Sequence, residues 1–139
     1  MAAGEPWLIG LGARVHLFVQ PEWRAAFAAV FRDVLGCGVL ERDFGLEHPV
    51  LLVRFDDGSS FSVESSKHAP SPLPTRLTVD AEAFRGAWIE FRVRRVDLVQ
   101  ARLREAGVPE FRHLGSAHAY FVAPGAQVFR ILDADDVGP

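Results

Sequence analysis

One cysteine, Cys37, in 139 residues removes two possibilities at once. No disulfide can close within the chain, and no metal site built on several thiolates is available, which fits a reducing cytoplasm. An excess of charge of one sign is also missing: 15 Lys and Arg stand against 18 Asp and Glu, a formal net charge of -3. That balance provides no basic field for nucleic acid or an anionic membrane. No apolar run approaches the roughly 18 residues needed to span a bilayer. The first apolar stretch, Trp7 to Leu11, follows Glu5 and Pro6 rather than a basic region and is succeeded by Arg14, so no secretory leader is expected. Also absent are a nucleophile elbow, a P-loop, zinc-ligand spacing and a dinucleotide fingerprint. Cys37, between Gly36 and Gly38, has no activating neighbour in the sequence.

What remains is a composition of 49% hydrophobic and 24% charged residues, ordinary for one compact domain with a sizeable core. Val15, Leu17 and Val19 alternate with Arg14, His16 and Phe18, the period of a two-faced strand. Pro21 opens a segment in which Trp23, Phe27, Val30, Phe31 and Val34 recur at helical spacing until Gly36, which predicts one amphipathic helix. Three strand-like runs follow, 39–44, 50–55 and 60–65, the last two joined by Asp57-Gly58, a hairpin signal. Ser66 to Pro74 turns polar and proline-rich, so a linker is placed at about 67–85. A strand at 87–93, a helix at 96–106 ended by Gly107, and strands at 109–114, 118–122 and 127–132 complete the chain, with Pro124-Gly125 as the last turn.

Both halves therefore read βαβββ, over about 12–66 and 86–133. They also align without gaps where each begins: Gly12-Ala13-Arg14-Val15-His16-Leu17-Phe18-Val19 against Gly86-Ala87-Trp88-Ile89-Glu90-Phe91-Arg92-Val93. Shared alternation alone would not reproduce the Gly-Ala start, the final Val and the order of later elements, so an internal repeat is inferred.

Three segments carry a resemblance. Ala26 to Gly36 (AFAAVFRDVLG), Gly86 to Val108 (GAWIEFRVRRVDLVQARLREAGV) and His118 to Leu132 (HAYFVAPGAQVFRIL) resemble, in order and spacing, the first helix, the second-module start and the final hairpin of the glyoxalase/bleomycin resistance/dioxygenase proteins, the vicinal oxygen chelate superfamily. The resemblance spans Arg14 to Asp133. It implies a single α+β domain of two βαβββ modules forming a curved mixed-sheet cup. In the metal-dependent members, four His, Glu or Gln side chains point into the cup from the first and fourth strands of each module, and imidazole and carboxylate suit a divalent ion there.

Transferred by the repeat, the first-strand positions fall at Arg14 and Trp88, and the second module's fourth-strand position falls at Arg130. Arginine has no acceptor lone pair and indole nitrogen only donates, so none of the three replaces a ligand. Glu64 holds the remaining position, with Ser62 as the alternative. His16 shares the Arg14 face and becomes a ligand if the register slips. Alternation places Trp88 and Glu90 on one face, and His118 and Tyr120 on one face. The expected ligand-binding set is thus Arg14, His16, Glu64, Trp88, Glu90, His118, Tyr120 and Arg130.

By this reading the chain resembles the drug-binding resistance proteins of the superfamily: a homodimer that binds a small anionic or aromatic molecule without a resident cofactor. The rival is a metal-dependent lyase, isomerase or dioxygenase using a divalent metal on His16 and Glu64. In a third reading the cup is closed, with Arg14 and Arg130 neutralised by Glu64 and Glu90 in a non-catalytic dimeric scaffold.

Overall fold

The structure, a computed structural model, describes residues 7–9, 11–70, 87–111 and 117–135. Most of the expected linker and half of the 109–114 run lie outside these residues.

The first module runs β1 (His16–Val19), a 3-10 turn (Pro21–Trp23), α1 (Arg24–Ala29), a π turn (Val30–Val34), β2 (Gly38–Arg42), β3 (Val50–Arg54) and β4 (Ser60–Ser65). The second runs β5 (Trp88–Val93), α2 (Val96–Glu105), β6 (Glu110–Phe111), β7 (Ala119–Val122) and β8 (Val128–Asp133). Strand order is β1-β4-β3-β2 in one sheet and β5-β8-β7-β6 in the other, so the two βαβββ units share one topology. In each, the first strand lies parallel to the fourth and the remaining pairs are antiparallel.

The single helix expected over 21–36 is instead three helical forms in succession. Gln20 is extended and Pro21 supplies the fixed φ that starts the 3-10 turn. The backbone then widens to π geometry at Val30, where Leu35 N–H donates to Val30 O, and ends as Cys37 N–H reaches Phe31 O with Gly36 left-handed at φ 74°. This path buries Phe27, Ala28, Val30 and Phe31 together.

Those side chains meet one core drawn from both modules. Leu17, Val19, Leu51, Val53, Phe61 and Val63 from the first sheet pack with Leu103, Phe121, Phe129 and Ile131 from the second half. Phe31 sits among Phe61, Phe91 and Phe129 at ring distances of 5.3, 5.8 and 5.4 Å, and Phe91 stacks on Phe129 at 4.6 Å. Each such aromatic pair is worth about 0.5–1.5 kcal/mol beyond its area, so the modules are joined by their interiors.

The hairpin turns complete the join. Phe55 to Ser59 and Ala123 to Gln127 close with the same bonds: Phe55 N–H to Ser59 O and Gly58 N–H to Phe55 O, against Ala123 N–H to Gln127 O and Ala126 N–H to Ala123 O. Each turn leans on the first strand of the other module. Asp57 lies 3.7 Å from Arg92 of β5, and a Cβ added at Gly125 would stand 2.7 Å from a Val19 methyl of β1. A pseudo-twofold relation between the modules produces this kind of reciprocity.

Candidate functional site

With Leu17, Val19, Phe61, Phe91, Phe129 and Ile131 committed to the core, alternation leaves the other sheet face to the residues between them. In the second sheet, cross-strand register sets Glu90, Arg130 and Tyr120 side by side. Trp88 lies one step along β5, and the Arg130 guanidinium carbon sits 5.0 Å from its ring centroid, a cation–π contact. Tyr120 meets Trp88 edge-on at 6.2 Å. Arg130 Nε is 2.9 Å from Glu90 Oε2, with the Arg130 side chain only 11% exposed. The ion pair is not a hydrogen bond, however: the Nε–H points off the carboxylate and meets no acceptor. Arg130 thus carries a neutralised charge but an unspent donor. Trp88 keeps 41% of its surface exposed, while Tyr120, Val122, Val128 and Leu132 are buried around it on the same face. His118 is half-buried just ahead of β7.

In the first sheet the equivalent row is His16, Ser62, Leu52 and Leu40. The imidazole is held at both ends: Nδ1 lies 2.5 Å from Ser62 Oγ and Nε2 lies 3.0 Å from Glu64 Oε1. Phe18 packs edge-on to the ring at 5.0 Å and is itself 50% exposed. Arg14 is exposed in the segment preceding β1.

The matching turns settle the register between modules. Phe55 corresponds to Ala123, so the counterpart of Arg130 is Ser62, and Glu64 corresponds to Leu132. The expectation that placed Glu64 first therefore gives way to its alternative, because the Asp57-Gly58 turn is no longer than its partner. Comparing the two five-residue loops in the sequence, from Phe55 and from Ala123, would have revealed this. The sequence reading also missed that Ser62 and Glu64 both bond His16.

A divalent ion fits these residues poorly. Of the four positions implied by the resemblance, Arg14, Ser62, Trp88 and Arg130, two are cations, one is an indole and one is a neutral hydroxyl, a weak ligand. A metal at Trp88 and Arg130 would face a guanidinium already stacked there. His16 and Glu64 offer two donors, and among the described residues no group of three or more His, Cys, Asp or Glu gathers for a metal.

The closed-cup expectation is met by half. Glu90 does neutralise Arg130, while Glu64 turns to His16. No helix among the described residues is long and apolar enough to cross a membrane.

No protein-family model matches the chain, and no curated protein matches it. Solved structures do. A glyoxylase/bleomycin resistance protein/dioxygenase domain from Frankia sp. EAN1pec superposes with a TM-score of 0.62 at 16% identity, over 91% of this chain and 98% of the other. TnmS3, an antibiotic binding protein from Streptomyces sp. CB03234, gives 0.61 at 18%, over 90% and 96%. FosX, a genomically encoded fosfomycin resistance protein from Listeria monocytogenes, gives 0.63 at 12%, over 94% of each chain. At these identities the likeness establishes the fold: the chain has the glyoxalase/bleomycin resistance fold over nearly its whole length.

Proposed function

We propose that this protein binds a small planar or anionic organic molecule at the Trp88–Arg130 pair, without a metal. The observation that carries the reading is the Arg130 Nε–H, buried and without an acceptor although Glu90 lies 2.9 Å away. Glu90 already offsets the charge, so a ligand adds an acceptor aligned with this Nε–H, a charge-assisted hydrogen bond. An acceptor on a ligand satisfies it, and the exposed part of Trp88 offers an aromatic face beside it. A planar aromatic acid combines both features. Antibiotic binding and antibiotic resistance among proteins of this fold are consistent with a small organic ligand.

The same reading places Tyr120, Glu90 and His118 in the wall of the second-module site and His16, Glu64 and Arg14 in the first, in a cytoplasmic homodimer. Pairing is favoured by the exposed apolar side chains just beyond β2, Phe44 and Leu46.

A thermal-shift screen of aromatic acids, aliphatic acids and neutral aromatics is expected to give its largest stabilisation with the aromatic acids. Arg130→Ala should weaken binding of a hit about ten- to a hundredfold, the equivalent of about 1.5–3 kcal/mol for a charge-assisted hydrogen bond. Hits indifferent to both Arg130→Ala and Trp88→Ala would refute the assignment. One equivalent of Mn²⁺ or Ni²⁺ bound through His16 and Glu64 would favour a metal-dependent enzyme instead.

A further inference from the structure

From the hydrogen-bonded line Glu64, His16, Ser62 on the open face of the first sheet, we propose that Ser62 is an activated nucleophile, with His16 as its general base, that accepts acyl groups from activated esters. This does not depend on ligand binding at Trp88 and Arg130.

The proton positions follow from the donor inventory. An ionised carboxylate only accepts, so Glu64 Oε1, at 3.0 Å, takes the hydrogen on His16 Nε2. A neutral imidazole holding its hydrogen on Nε2 presents a lone pair at Nδ1. Ser62 Oγ has two acceptors in reach, that lone pair at 2.5 Å and Val15 O at 3.4 Å, and its hydroxyl donates to the nearer. A base in hydrogen-bond reach of a hydroxyl, and itself oriented by a third group, is the arrangement that activates a serine. Glu64 is the positioning residue, fixing ring and tautomer without touching the substrate.

Access and surroundings agree with this role. The His16 and Glu64 side chains are 39% and 31% exposed, so an electrophile reaches the line from solvent. Phe18, beside His16, and Leu40, in the Ser62 row, are 50% and 44% exposed and give an acyl chain an apolar floor. The Ser62 backbone N–H is already donated to Val15 O, so it cannot serve a developing oxyanion. Arg54, exposed on the same face and paired in register with Ser60, is the cation this sheet offers for that charge. With no backbone donor preset, the substrate class is restricted to esters with a good leaving group, such as aryl esters.

The step balances as follows. Ser62 Oγ bonds to the acyl carbon while its proton moves to His16 Nδ1. The ester C–O bond breaks, and the aryloxide leaves with that proton. Water then attacks the acyl-serine, giving its proton through Nδ1 to Ser62 Oγ and releasing the carboxylic acid.

The test uses p-nitrophenyl acetate and an aryl fluorophosphonate on the full chain, with intact-mass and peptide mapping of the adduct. Wild type should carry one acyl or phosphonyl group on Ser62. Ser62→Ala should lose the adduct, and His16→Gln should slow its formation by roughly a hundredfold or more, the range of a general base. Glu64→Ala should slow it as well, while Glu64→Gln, which keeps an oxygen for the Nε2 hydrogen, should recover much of the rate. A wild-type chain that stays unlabelled, or one labelled only on His16 or Lys67, overturns the proposal whatever the variants do. An adduct on Ser62 that forms equally fast in His16→Gln overturns it too.

Discussion

Cys37 follows the left-handed Gly36 and stands half-buried beside the first core layer. Burial, and after it the charge of Asp56, pushes its thiol up to about 11. Because the folded chain holds this proton more tightly than the unfolded one, the contribution to stability is full below the ordinary value of 9.0 and is lost as pH rises through about 11. Iodoacetamide should therefore alkylate native Cys37 at pH 8 roughly a hundredfold more slowly than an unfolded thiol, with the rate climbing toward pH 11. A midpoint at the ordinary value of 9.0 would show that the side chain is not desolvated. At this scale the sequence was informative where alternation governs. Trp88 and Glu90 were expected on one face of their strand and are found there, with Arg130 against both. It was silent on pairing across strands. That His16 would sit between Ser62 and Glu64 depends on the β1–β4 register, which no local periodicity encodes.

Among elements, the strands other than β6 were legible to within a residue or two, since a half-buried sheet writes its period into the chain. The helix over 21–34 was not. Its apolar spacing is compatible with 3-10, α or π winding, and the choice falls to how Phe27 and Phe31 seat in the shared core. The turns offer a sharper test. Gly125 has φ 93°, and any side chain there strikes Val19 of the opposite module. Gly125→Ala should cost about 2–4 kcal/mol in urea unfolding, from left-handed strain together with overpacking. Val19→Ala in the same chain should recover the overlap portion, so the double mutant is less damaged than the sum by about 1 kcal/mol or more. Strict additivity would mean that the turn does not rest on β1.

For the whole molecule, duplication was readable because strand order, helix placement and the Gly-Ala start recur at matched positions. The manner in which the copies meet was not readable, because an alternating strand says which residues go inward and not whose interior they enter. The Phe31, Phe91 and Phe129 contacts answer that for the chain itself. The proposed homodimer extends the question to a second copy. Sedimentation at micromolar concentration should give twice 15.3 kDa, and Phe44→Glu with Leu46→Glu should shift it toward the monomer. A wild-type monomer across that range would refute the pairing.

The two modules also differ in how far their outer faces are closed. Tyr120, Arg130 and Leu132 are each at most 9% exposed, whereas their counterparts Leu52, Ser62 and Glu64 are half-buried. Packing therefore constrains the two copies of one unit unequally. Most changes to the second copy's face disturb packing, so that copy is held near its present form by the requirement to fold. The first copy's face is tied to the core on one side only, and it can accept new side chains at little cost in stability. Chemical novelty in descendants of this chain should accumulate first around His16, Ser62 and Glu64, the part of the duplicated sheet that folding leaves free to vary.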